Sequence, residues 1–143
     1  MSNNYRLSSG GEINRTERIS FKFNGKTFFG YKGDTLASAL LANGVHLVGR
    51  SFKYHRPRGI LGSGAEEPNA LVQIIKDKAR TDPNMRATQI EIFDGLEAKS
   101  QNCWPSVKFD ISEINNLLYP ILPAGFYYKT FMWPSNLWEK YEY

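Results

Sequence analysis

Between Arg50 and Arg58 the chain sets Arg50, Lys53, His55, Arg56 and Arg58 among Phe52 and Tyr54. Clustered guanidinium and ammonium groups are suited to phosphate contacts, either to a nucleotide cofactor or to a nucleic acid. A nucleic-acid binder spreads its basic patch over more of the chain than this. The remaining readings are an acidic partner surface and a solvated or subunit-facing loop. Close by, Glu66 and Glu67 form a carboxylate pair, but adjacent residues rarely converge on one substrate, so they are read as counter-charge to the basic run. His46, between Val45 and Leu47, is read as a packed strand residue. His55 lies among cations that disfavour its charged form. Neither histidine has a cysteine or acid at metal-ligand spacing, so no zinc or other metal site is expected. Cys103, beside Trp104-Pro105, is read as a packed thiol. The chain has no P-loop, no G-x-S-x-G and no G-x-G-x-x-G after a strand. No complete active site is written in it.

The 143 residues, 41% hydrophobic and 22% charged, are those of one globular domain with a core of ordinary size. Net charge is +4, a mild excess whose meaning depends on clustering. A single cysteine excludes an internal disulfide and any multi-thiolate site. The first residues lack the apolar core of a signal peptide, and no apolar run is long enough to span a membrane. Cytoplasmic residence is the plain expectation.

Several elements must position these groups. Residues 1–18 are polar and are read as a tail. From Ile19 the pattern alternates, with Ile19, Phe21 and Phe23 on one face and Ser20 and Lys22 on the other. Asn24-Gly25 then turns the chain into a second strand, Lys26 to Tyr31, which predicts a β-hairpin. Asp34 is placed as N-cap of a helix through TLASALLANG, with Leu36, Leu40 and Leu41 at helical spacing and Gly44 just past its end. Val45 to Val48 is expected as a short strand. The loop from Arg50 leads into a buried strand, Ala70 to Ile75, and Lys76 to Asn84 is expected as a surface connection. Ala87 to Phe93 and Leu96 to Ser100, around Asp94-Gly95, are expected as a second hairpin. Hairpin, helix, loop and further strand begin a β-grasp fold, so the expected class is α+β, with the domain over residues 19–100.

Residues 101–143 differ in kind. Asp110 with Glu113 three residues on has the spacing of a capping box and predicts a short helix before Pro120. The closing FYYKTFMWPSNLWEKYEY is dense in rings, including Phe131, Trp133 and Trp138. Such a surface invites association, and these three are the expected interface residues.

The strings RSFKYHRPRGILGSGAEEPNALV, NMRAT, FDGLEAKSQN and LPAGFYYKTFMWP resemble the N-terminal region of the alpha subunits of heterotetrameric sarcosine oxidases, over roughly Ile19 to Glu139. The resemblance implies a ferredoxin-like β-grasp domain similar to the two-iron, two-sulfur domains of related amine and amino-acid dehydrogenases. In those domains a loop supplies three cysteines and a later segment the fourth. The matching positions here are Gly62, Glu67, Ala70 and Thr88, none of them a thiol, so no cluster or other cofactor is expected in this chain. The family implies FAD, FMN and NAD elsewhere in a complex that oxidises sarcosine (N-methylglycine) to glycine with one-carbon transfer to tetrahydrofolate.

Full alpha subunits continue into further domains, so a split subunit or a truncation is expected. The expected function is a non-catalytic scaffold within that flavin-dependent oxidoreductase, partnered by the remainder of the alpha subunit and the other subunits. Two alternatives stand beside it: an iron–sulfur electron-transfer protein, and a nucleotide or nucleic-acid binding module using Arg50, Lys53, Arg56 and Arg58.

Overall fold

The computed structural model describes residues 5–77 and 79–117. The opening hairpin forms from β1 (Asn14–Phe23) and β2 (Lys26–Lys32), in register at Phe21↔Phe28 and Phe23↔Lys26. Asn24 and Gly25 both take left-handed backbone, at φ 51° and 75°, as the tight turn between twisted strands requires. Helix α1 (Leu36–Ala42) follows, then a two-residue ladder of β3 (Gly49–Arg50) against β4 (Pro57–Arg58). Strands β5 (Leu71–Ile75), β6 (Thr81–Arg86) and β7 (Leu96–Ser100) complete the larger sheet. Its order is β2-β1-β7-β5-β6.

Strand β7 enters the middle. It runs parallel to β1, with Phe21 opposite Leu96, and antiparallel to β5, with Ile74 opposite Ala98. This mixed sheet with the short helix α1 on its face is a β-grasp, ferredoxin-like α+β fold.

The core lies between sheet and helix. Phe21, Phe23, Leu36, Leu40, Val48, Val72, Ile92 and Leu96 are all at most 2% exposed. Fully burying one such side chain is worth about 1.5–3 kcal/mol. Gly30 of β2 allows the layers to meet: a Cβ there would stand 2.4 Å from Ile92 Cδ1 and 3.1 Å from Ala39 Cβ.

Several expected elements change. Strand β1 starts at Asn14, so its first residues come from the stretch read as a tail. Thr35, not Asp34, caps α1, its hydroxyl accepting the Ser38 N–H. Asp34 is 1% exposed and serves the tertiary structure instead, holding Arg6 through a bidentate pair at 3.0 and 2.6 Å. Val45 to Val48 makes no strand; the ladder there is Gly49–Arg50 against Pro57–Arg58.

Strand β6 begins within the expected surface connection, and it tolerates Pro83 because it is the edge strand of the sheet. The second hairpin does not form either. Ala87–Gln89 is a 3₁₀ turn, and the chain then crosses beneath α1, where Ile90 O accepts the Leu36 N–H and Ile92 N–H donates to Asp34 O. Burying Ile92 against the helix outweighs the local alternation. Among the described residues no helix is long and apolar enough to cross a membrane.

Candidate functional site

The loop between β4 and β5 closes on one of its own side chains. Glu67 is 1% exposed, and its carboxylate takes four backbone N–H groups. Oε2 accepts from Leu61 at 2.7 Å and from Gly62; Oε1 accepts from Asn69 at 2.7 Å and Ala70 at 3.0 Å. Burial by itself pushes this carboxyl up, but the N–H groups of Gly62, Asn69, Ala70 and Leu61 hold it below its ordinary range. Glu66 does the same for the outer turn, accepting from Ser63 and Gly64 at 2.9 Å each. The pair read as counter-charge to the basic run instead organises its own loop backbone.

The end of β6 and the 3₁₀ turn after it fix the loop. Ala87 N–H donates to Ala70 O at 2.9 Å, Arg86 Nε to Glu67 O at 3.2 Å, and Thr88 Oγ1 to Gly64 O at 2.7 Å. Gly62, Glu67, Ala70 and Thr88 are thereby gathered at one place, although Thr88 is remote in sequence. The glycines matter sterically. A Cβ on Gly62 would meet Glu66 Oε1 at 2.9 Å and Glu67 Cα at 3.3 Å.

The members of the basic run differ in burial, Arg50 being buried and Arg56 exposed. Arg50 is 6% exposed and turned inward: Nε donates to Val107 O at 2.9 Å and Nη1 to His55 O at 2.8 Å. The same Nη1 lies 3.0 Å from Glu113 Oε2. His55, at φ 54°, places Nδ1 2.7 Å from Asp110 Oδ2. The cations expected around His55 are answered by this carboxylate. Asp110 also accepts the N–H groups of Trp104 and Ser112, at 3.0 and 3.1 Å. Burial pushes its carboxyl up, yet these bonds and His55 hold it low. Its neighbour Cys103 is half-buried, its thiol pushed up first by burial and then by the Asp110 charge.

Lys53 Nζ and the Arg56 guanidinium sit 5.3 and 4.9 Å from the Tyr54 ring centre, within cation–π range. Arg56 Nε also donates to Asn116 Oδ1 at 3.0 Å. Arg58 borders an open cleft of about 540 Å³ whose walls include Phe52, Asn69, Asn84 and Asn102. His46 is exposed rather than packed in a strand, with its ring edge-on to Tyr5 at 5.2 Å.

The expected short helix is a 3₁₀ segment, Ile111–Asn116, capped by the Asp110 side chain. Glu113 reaches Arg50 rather than closing a capping box. Phe131, Trp133 and Trp138 lie outside the described residues.

An iron–sulfur cluster requires four soft anionic ligands, usually thiolates. The four gathered positions offer two residues without functional side chains, one hydroxyl bonded to Gly64 O, and one carboxylate already saturated by N–H groups. Among the described residues no three His, Cys, Asp or Glu side chains are grouped to hold a metal. The residues present do not fit a cluster.

Fold and loop together define a ferredoxin-like β-grasp domain whose loop between β4 and β5 closes on the Glu67 carboxylate. The chain belongs to the 2Fe-2S iron-sulfur cluster binding domain family, which it matches over residues 16–103. It is 62% identical over 136 residues to sarcosine oxidase subunit alpha of Rhizobium meliloti (strain 1021), covering 95% of this chain and 14% of that subunit. It is 41% identical over 104 residues to sarcosine oxidase subunit alpha of Corynebacterium sp. (strain U-96), covering 68% of this chain and 11% of that one. The chain thus spans a small fraction of these relatives. Among solved structures, L-proline dehydrogenase from P. horikoshii matches with TM-score 0.51 and 24% identity, over 65% of this chain and 17% of that one, a likeness of fold.

Proposed function

We propose that this chain is a non-catalytic scaffold domain of a sarcosine-oxidase-type flavoenzyme. One observation carries the reading: the loop of Gly62, Glu67 and Ala70, which with Thr88 are the positions that the resemblance matches to cluster ligands, is already closed around a carboxylate. The similarity to sarcosine oxidase alpha subunits supplies the context. In this reading the chain takes no electrons. Sarcosine oxidation to glycine, one-carbon transfer to tetrahydrofolate, and the FAD, FMN and NAD sites belong to other parts of a cytoplasmic complex. The aromatic segment, through Phe131, Trp133 and Trp138, docks on the remainder of the alpha subunit, because buried Trp and other large rings anchor interfaces.

A pull-down tests it. The full chain should capture the remaining polypeptides of the complex, and Trp133→Ala with Trp138→Ala should weaken capture. A chain that stays monomeric beside those polypeptides removes the proposal.

A further inference from the structure

We propose that Glu67 is a built-in anion that stands in for the cluster, so that the loop keeps its cluster-type path with no metal. A loop that wraps a cluster turns backbone N–H groups inward, toward an anionic centre of sulfide and thiolate. With the thiols gone, those donors need another anion, because a buried unpaired N–H costs about 1–3 kcal/mol. Here Leu61, Gly62, Asn69 and Ala70 all turn inward, and each finds a Glu67 oxygen, two donors to each. The carboxylate comes from one of the four ligand positions, so it arrives from the side the cluster would occupy. Gly62 and Ala70, with little or no side chain, leave the space inside the loop to this carboxylate.

The remaining anchors reinforce the arrangement. Thr88 Oγ1 holds the Gly64 carbonyl, and Arg86 Nε holds the carbonyl of Glu67 itself. The same geometry implies a ligand for the emptied cradle. Truncation of Glu67 should leave an N–H-lined space that takes a small carboxylate such as formate. The inference rests on family membership and local geometry, and it stands or falls separately from docking to any complex.

The test uses the full 143-residue chain, with Glu67→Ala and Glu67→Gln as variants at neutral pH. Glu67→Ala should lower the thermal midpoint by on the order of 10 °C. Sodium formate should restore part of that loss, whereas sodium chloride at equal ionic strength should not; wild type should respond alike to both salts. A wild-type midpoint in Glu67→Ala overturns the proposal, as does recovery that formate fails to give or that chloride gives equally. If Glu67→Ala does not fold, amide exchange in Glu67→Gln decides. Exchange at Leu61, Gly62, Asn69 and Ala70 should accelerate by roughly tenfold or more while β1 is little changed. Wild-type rates at those four amides would overturn the assignment.

Discussion

His55 Nδ1 lies 2.7 Å from Asp110 Oδ2, joining the basic run to the segment after β7 across 55 positions of sequence. Arg50 reinforces the same junction from the buried side, where the Asp110 side chain has no exposure. The basic run is thus partly a staple, with its most buried cation spent on carbonyls and acids rather than on a ligand. Asp110→Asn should cost about 2–4 kcal/mol, since it leaves Arg50 and His55 facing a neutral group in a dry place. Urea unfolding measures the loss, and faster amide exchange at Trp104 and Ser112 would locate it. A change under ~0.5 kcal/mol, the ordinary surface value, would show that the junction is decorative.

Acidification should destabilise the chain, with a sign set by its carboxylates. Glu67 and Asp110 are both held below their ordinary values in the folded state. Their contributions are complete above the unfolded pKa values, about 4.3 and 3.9, and are lost as pH falls through the folded ones. Thermal midpoints between about pH 3 and pH 7 should therefore fall on the acid side. Glu67→Gln and Asp110→Asn should each be less stable at neutral pH and show a flatter acid limb. An unaltered limb in both variants would contradict the assignment.

Gly30→Ala should destabilise the fold by about 1–3 kcal/mol through overpacking. The new methyl would press on Ile92 Cδ1, Ala39 Cβ and Asp34 Oδ2. Pairing it with Ile92→Val should recover part of the loss, because Ile92 supplies the nearest atom. Equilibrium unfolding of the single and double variants checks this. Additive losses would place the strain elsewhere.

Anaerobic incubation with ferrous iron, sulfide and a thiol reductant should leave the chain colourless after desalting. A stoichiometric cluster with visible absorbance would revive the electron-transfer reading. The expectation follows from the donor set: a hydroxyl engaged at 2.7 Å with Gly64 O and a carboxylate saturated by four N–H groups.

Much of the fold was legible locally. Alternating Phe21 and Phe23, with Asn24-Gly25 after them, specify their hairpin through side-chain period and left-handed turn residues alone. The helix was legible from its leucines and alanines, though its cap moved by one residue because Arg6 claims Asp34. What failed was also physical. The Ala87 to Phe93 alternation has strand period, but Ile90 and Ile92 are drawn under α1 by long-range bonds to Leu36 and Asp34. Lys76 to Asn84 reads as a connection, and Pro83 can sit in β6 because that strand is at the edge of the sheet.

The site divides the same way. Residue identity alone leaves Gly62, Glu67, Ala70 and Thr88, the positions that the resemblance matches to cluster ligands, without a thiolate, because ligand chemistry belongs to the side chain. The family relation, too, is carried by strings of sequence. Only the tertiary structure decided what replaced the ligands. Whether Glu67 faces solvent, the basic run or the loop interior depends on where four backbone N–H groups point, and that is set by chain path and burial rather than by spacing. Likewise the inward turn of Arg50 depends on the approach of Asp110 and Glu113 from a distant segment, a contact for which no local pattern exists.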